Sequence, residues 1–303
     1  MTPFDSTQTP ALAVDHVAAL AVDHVAALAV DHVAALAVDH VSHRYGPRVA
    51  LNDVSLTVRQ SSFTVLLGLN GAGKSTLFSL ITRLYAIRSG QIRIFGHDVG
   101  REAGAALSQL GVVFQSRALD VDISVRQNLM YHAALHGIAS KRADQLIAQV
   151  LDRVAMADRS RDRVGNLSIG QMRRIEIARS LLHQPRLLLL DEPTVGLDIK
   201  ARADILDHVR RLSVEQGIGV LWATHLIDEA ASGDDVVVLH KGSVLALGTV
   251  ADVIGRSGAA DLGGAFNRLT GAADQGELET AQWRCSPERP TSTALRWRSI
   301  SFA

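Results

Sequence analysis

From residue 37 onward, short apolar runs punctuate longer stretches with a helical period. Runs rich in aliphatic and β-branched residues occupy 51–58, 63–67, 91–95, 111–114, 186–190, 220–223 and 235–240. Each has the length of a strand, and helical patterns fall between most of them, which predicts an α/β unit. The uninterrupted apolar stretch Leu187-Leu188-Leu189-Leu190, bounded by Pro185 and Pro193, predicts a parallel strand buried on both faces. Residues 124–183 break the alternation. Their spacing predicts three helices, over 124–137, 140–156 and 170–183, with Ser168 placed to cap the last.

The chain ends follow other rules. The octapeptide Ala-Leu-Ala-Val-Asp-His-Val-Ala begins at Ala11, Ala19 and Ala27, and a fourth copy from Ala35 ends in Ser42. Its histidines (His16, His24, His32, His40) would spiral around a helix or stand far apart along a strand, so neither form gathers them on one ion. The repeat reads as a tandem duplication. The fourth copy runs directly into Val41-Ser42-His43-Arg44-Tyr45 and is expected to enter the fold, leaving 1–34 as a weakly ordered extension. An organised domain is expected over 35–254, with a helical part at about 120–183. Residues 255–303 read as a C-terminal segment that loses all period after Gly271.

Composition narrows the classes. The chain has 303 residues, 47% hydrophobic and 20% charged, which excludes wholesale disorder. Lys+Arg and Asp+Glu both total 31, so no net charge draws it to nucleic acid or an anionic surface. The single Cys285 excludes an internal disulfide and a cysteine metal cluster. No apolar run approaches the roughly 20 residues of a membrane span. The N-terminal stretch lacks a basic region, the first arginine being Arg44, so no secretory leader is expected.

Two motifs carry chemistry. Gly68-Leu69-Asn70-Gly71-Ala72-Gly73-Lys74-Ser75-Thr76 fits G-x-x-x-x-G-K-[ST], with an apolar run before it and a helical stripe at Leu77, Ile81 and Leu84 after it. Glycines there let backbone N–H groups approach phosphates, and the helix N-terminus adds partial positive charge. Lys74 would reach the β- and γ-phosphates of a nucleotide, and Ser75 would ligate Mg²⁺. The second motif is Asp191-Glu192-Pro193 at the end of the predicted central strand, where open α/β sheets place ligands. Asp191 would hold Mg²⁺ and Glu192 would serve as general base for water. An acidic pair at a strand end is also a common structural ion-pair site, and the phosphate loop upstream favours the catalytic reading.

Between these motifs, Leu167-Ser168-Ile169-Gly170-Gln171 resembles the L-S-G-G-Q signature of ABC-type ATPases. Tyr45, Gln115 in Val112-Val113-Phe114-Gln115, Val195-Gly196-Leu197-Asp198, and Ala223-Thr224-His225 match the family's remaining elements in the family's order. The resemblance spans residues 37–250. It implies a P-loop NTPase fold: a RecA-like, mostly parallel sheet core, an antiparallel β subdomain, and an α-helical subdomain bearing the signature. It further implies two MgATP sandwiched between two head-to-tail domains. Tyr45 would stack on adenine, and Gly68, Asn70, Gly71, Gly73, Lys74, Ser75 and Thr76 would hold the phosphates. Gln115 and Asp191 would join Ser75 at Mg²⁺, and Glu192, His225 and Gln115 would manage the water. Ser168, Gly170, Gln171 and Asp198 would face the partner's nucleotide.

With one ATPase domain, no zinc cysteines, and Gln115 and Ser168 only 53 positions apart, the chain resembles the transporter branch rather than the translation or DNA-repair branches. That implies a second ATPase subunit, separate integral-membrane permease subunits, no nucleic acid, and a peripheral place on the cytoplasmic face of the plasma membrane. Val125-Arg126-Gln127-Asn128-Leu129 and Phe266-Asn267-Arg268-Leu269-Thr270-Gly271 resemble bacterial drug and nodulation-factor exporters. The segments 77–85 and 131–137 resemble ATPases of pyrroloquinoline-quinone-dependent alcohol oxidation systems. A soluble ATP switch that remodels a partner without transport would carry the same motifs. The histidines His97, His132, His136 and His183 match no family motif and read as surface or packing residues.

One departure is testable. Ile169 stands where the family usually has Gly, adding bulk and a branched side chain beside the trans phosphate contact. Ile169→Gly is expected to raise ATP turnover; unchanged or lower turnover in a steady-state assay would show that this side chain does not limit the rate.

Overall fold

The computed structural model describes residues 34–271, so the first three repeat copies up to Val33 and the segment after Gly271 lie outside the described residues. Among the described residues ten strands run in chain order: β1 (Leu36–Tyr45), β2 (Arg48–Val58), β3 (Phe63–Leu67), β4 (Gln91–Ile94), β5 (His97–Asp98), β6 (Leu110–Val113), β7 (Leu187–Asp191), β8 (Gly219–Thr224), β9 (Asp235–His240) and β10 (Ser243–Thr249). They form a four-stranded sheet, order β2-β1-β4-β5, and a six-stranded sheet, order β10-β9-β3-β8-β7-β6. The first is antiparallel. In the second, β9, β3, β8, β7 and β6 are parallel neighbours and β10 closes the edge antiparallel.

The apolar runs become central strands because both sheet faces are covered. Every residue of β3, β7 and β8 is buried. Alternate side chains feed two separate cores, as the strand pleat requires. Phe63, Val65, Leu188, Leu190, Val220, Trp222, Val236 and Val238 enter one core with the helical insert and the C-terminal helices. Leu66, Leu187, Leu189, Leu221, Ala223, Val237 and Leu239 enter the other, beneath the antiparallel sheet. The fourth repeat copy forms much of β1, paired in register Leu36↔Val58 and Leu36↔Ile94.

Eight helices are described: α1 (Lys74–Ile81), α2 (Ala103–Ser108), α3 (Val125–Leu135), α4 (Ser140–Arg153), α5 (Ile169–Leu181), α6 (Ile199–Gln216), α7 (Val250–Ser257) and α8 (Leu262–Thr270). The three predicted helices of the insert are α3, α4 and α5. Ser124 and Ser168 close capping boxes with Gln127 and Gln171, which fixes where α3 and α5 begin. No described helix is long and apolar enough to cross a membrane.

Three expectations need adjustment. Leu84 is not on the stripe of α1, because the helix stops at Thr82, Arg83 turns left-handed at φ 58°, and Leu84 is 64% exposed. The strands β5 and β10 and the short helix α2 fall outside the predicted elements, being too short or too mixed in polarity to show a period. The boundary after residue 254 falls inside α7, and Leu262, Ala265 and Phe266 of α8 pack into the same core as the central strands.

A buried carboxylate ties that core together. Glu229, fully buried, accepts from the Trp222 indole Nε1 at 2.9 Å and from the Thr194 hydroxyl. Arg210 donates to the Glu229 carbonyl at 2.6 Å and to Asp234 at 2.8 Å. Trp222→Phe keeps most of the volume but strips one donor from a buried carboxylate. It is expected to lower unfolding stability by about 3 kcal/mol in urea titrations. A loss near zero would mean that Glu229 finds another donor.

Candidate functional site

The loop between β3 and α1 is built for close approach. A side chain at Gly68 would meet the Leu239 carbonyl oxygen at 2.5 Å, so only glycine fits there. Gly73, at φ +113°, lets the chain enter α1 while a Cβ would lie 2.8 Å from the Ala50 carbonyl oxygen. Lys74 opens α1 and turns back under the loop. Its ammonium donates to the Gly68 carbonyl at 2.7 Å and the Leu69 carbonyl at 3.3 Å.

Three more parallel strands end at the same place. Glu192 follows β7, Gln115 lies two residues past β6, and His225 follows β8. Their side chains converge on one carboxylate. Glu192 Oε1 lies 3.1 Å from Lys74 Nζ and 3.3 Å from His225 Nδ1, and Glu192 Oε2 accepts from Gln115 Nε2 at 3.2 Å. Glu192 holds a left-handed backbone at φ 47°, an uncommon conformation for a residue with a side chain, anchored by its N–H on the Ala223 carbonyl at 2.9 Å.

These residues share a cavity of about 730 Å³ with Tyr45, Asn70, Gly71, Gly73, Ser75 and Thr76. Tyr45 is 43% exposed at its rim, edge-on to His43 and Tyr85. Its hydroxyl reaches Thr76 Oγ1 at 3.4 Å. Arg48 and Lys241 also line the wall. Neither belongs to a motif; Lys241 arrives on the β9–β10 turn, where the Gly242 N–H donates to the Ala72 carbonyl at 2.9 Å.

Asp191 lies just behind, on the last residue of β7. It is 4% exposed, and its Oδ1 has no hydrogen-bond partner. Burial pushes its carboxyl above the usual carboxylate range, while the nearby Ser75 hydroxyl and Lys74 pull the other way. A buried oxygen of this kind beside a serine hydroxyl suits a hard dication.

Ser168, Gly170, Gln171 and Asp198 lie elsewhere. They line a second cavity of about 340 Å³. Ser168 Oγ accepts from the Gln171 N–H at 3.3 Å, and Asp198 Oδ1 accepts from the Ala201 N–H at 2.8 Å, capping α5 and α6. Ile169 is the first residue of α5 and 46% exposed, so its side chain stands off the surface without backbone strain.

A buried pair joins the two regions, and no motif had marked it. Arg173 of α5 donates to Glu176 at 2.6 Å, to the Phe114 carbonyl at 2.9 Å and to the Gln115 carbonyl at 3.3 Å. Glu176 accepts from the Ala118 N–H at 3.0 Å. The loop that carries Gln115 is therefore bolted to the helix that Ser168 begins. The only sequence signal was a charged pair three residues apart in a helix whose neighbouring buried positions include Met172, Ile175, Ile177 and Ala178.

Known proteins show the family. The ABC transporter family profile matches residues 51–195. The linearmycin resistance ATP-binding protein LnrL of Bacillus subtilis (strain 168) is 35% identical over 215 residues, 71% of this chain and 69% of its own. The daunorubicin resistance ATP-binding protein DrrA3 of Streptomyces coeruleorubidus is 39% identical over 216 residues, 71% of this chain and 68% of its own. A solved ATP-binding subunit of an ABC transporter superposes with a TM-score of 0.69 at 28% identity, covering 77% of this chain and 98% of that one. The chain therefore belongs to the ABC transporter family, as an ATP-binding, ATP-hydrolysing subunit coupled to transport.

Proposed function

We propose that the larger cavity holds MgATP and that two copies of the chain close head to tail around two nucleotides. The observation that carries this reading is the separation of the parts. Lys74, Gln115 and His225 meet on Glu192 within 3.3 Å, while Ser168, Gly170 and Gln171 open onto another cavity. One chain holds both halves of a site but does not bring them together.

In this reading Tyr45 offers its exposed face to the adenine. The loop N–H groups and the start of α1 take the phosphates, and Lys74 moves its contact from Glu192 to phosphate oxygen. Glu192, released from its lysine, accepts a proton from the attacking water, and Gln115 and His225 orient that water. Mg²⁺, held by Ser75, Asp191 and Gln115, would neutralise charge on the phosphates. Ser168 and Gly170 of the second copy would complete the site, a trans contact of the kind worth about 10³–10⁵ in rate where an arginine supplies it.

The coupled partner in this reading is a separate membrane permease, in keeping with relatives that are named as ATP-binding proteins of resistance systems. Export is the favoured direction: two relatives are named for resistance to linearmycin and to daunorubicin. We infer a narrower likeness to ATPases of pyrroloquinoline-quinone-dependent alcohol oxidation systems from the segments 77–85 and 131–137 alone.

Two variants test these roles, and the place of the permease gene tests the finer likeness. The native Asp191 carboxyl keeps its proton to higher pH than the unfolded one, so its contribution to apo stability declines as pH rises above about 4. Asp191→Asn is therefore expected to melt at the same or a higher temperature without nucleotide, and to lose the extra stabilisation that Mg²⁺ adds to ATP. A lower apo melting temperature would contradict the cation role. Glu192→Gln is expected to bind ATP, slow hydrolysis by about 10²–10⁴-fold and dimerise with ATP. Captured from detergent-extracted membranes, it should carry a polytopic chain in stoichiometric amount. An ATP-bound monomer would sink the sandwich, and recovery without a membrane chain would sink the permease assignment. A permease gene lying among quinone-dependent alcohol oxidation genes would bear out the nearer likeness, and one lying elsewhere would count against it.

A further inference from the structure

Three of the histidines that matched no motif come together. His132 and His136 stand one turn apart at the C-terminal end of α3, and His183 lies in the link between α5 and β7. One ring nitrogen from each lies within 4.8 Å of the other two. The His136 ring stacks on His183 with centroids 4.1 Å apart and planes 9° apart, and His132 lies 4.7 Å from His136.

The hydrogen bonding leaves lone pairs unused. His183 Nε2 donates to the Leu110 carbonyl at 2.9 Å, so its Nδ1 carries the free pair. That Nδ1 is buried without a partner, and so is Nε2 of His132. Leaving such atoms unsatisfied costs about 1–3 kcal/mol each. Burial also holds all three imidazoles below the usual histidine range, His132 at about 4. A backbone carbonyl on the far nitrogen is how proteins commonly fix the tautomer of a metal-binding histidine. An i, i+4 histidine pair on a helix is a common bidentate arrangement, and the carbonyl end of α3 favours a cation.

We propose that His132, His136 and His183 form a binding site for a borderline divalent metal of the zinc class, with further coordination open to solvent beside His136. Tetrahedral zinc with bonds of about 2.0–2.1 Å needs nitrogens about 3.3 Å apart, so the cluster must contract on binding. His136 is exposed at the helix end and can turn to do this. Arg179 opposes a cation here; its guanidinium is engaged by the Ala118 carbonyl, and Glu176 offsets its charge. A bound ion would staple α3 to the α5–β7 link and, through Leu110, to β6, the strand that leads to Gln115. This site stands apart from the nucleotide cavity, and nothing in it depends on the proposed ATP chemistry.

Cobalt(II) is the probe. The full chain is titrated with Co²⁺ and followed by visible absorption, then back-titrated with Zn²⁺. The expected result is one equivalent giving the strong ligand-field bands of a four-coordinate nitrogen site, displaced by Zn²⁺. The bands should survive replacement of His16, His24 and His32 by Gln. They should vanish, or need at least about tenfold more Co²⁺, in His136→Ala and in His132→Asn. His136 is exposed, so its variant tests the site without disturbing the core, and an unchanged melting temperature without metal checks this. Absence of bands in the parent chain, persistence in His136→Ala, or loss on changing the repeat histidines would overturn the proposal.

Discussion

Almost everything at the site hangs on one buried ion pair. Lys74 and Glu192 meet at 3.1 Å with side chains only 5% and 9% exposed. Two charges held this far from water carry a large desolvation cost, recovered only when every remaining donor and acceptor is matched. Here the matching is close. The lysine has two loop carbonyls, and the carboxylate has Gln115 on one oxygen and His225 beside the other. Removing either charge would leave the other buried and unpaired, and losing a supporting contact would leave a buried polar atom unmatched, so the pair ties together the loop after β3 and the ends of β6, β7 and β8.

The sheet order makes this convergence possible. β3 and β7 both flank β8, and β6 follows β7, so four consecutive parallel strands present their C-terminal ends along one edge. Parallel pairing in register, such as Leu67↔Thr224 and Asp191↔Ala223, levels those ends. The strands stay level because alternate side chains lock into two dry cores, and slipping by one residue would exchange the faces. The Glu229 carboxylate, bound by Trp222 and Thr194, pins the segment just after Glu192 to β8.

The Arg173–Glu176 pair gives the molecule its internal connection. It fastens the backbone at Phe114, Gln115 and Ala118 to α5, whose first turn belongs to the second cavity. Burial pulls the Arg173 guanidinium below its usual range while Glu176 resists, so the pair is held by the same balance as Lys74 and Glu192. A shift of the helical insert would therefore be felt at Gln115. The three-histidine cluster touches the same assembly from the opposite end of α5, through the Leu110 carbonyl at the start of β6.

What the sequence determined by itself was local. The phosphate-loop glycines, the apolar run into Asp191-Glu192, and the caps at Ser124 and Ser168 each work within a few residues, where steric and hydrogen-bonding rules act directly. The order of the family elements followed for the same reason. Tertiary structure alone decided which distant side chains meet. Gln115 and Glu192 are 77 positions apart, and their contact depends on strand order. Arg48 and Lys241 reached the cavity wall, Arg173 and Glu176 became a buried bolt, and three unremarkable histidines became a cluster. No local rule marks such residues, because burial and proximity belong to the packed chain rather than to neighbours in sequence.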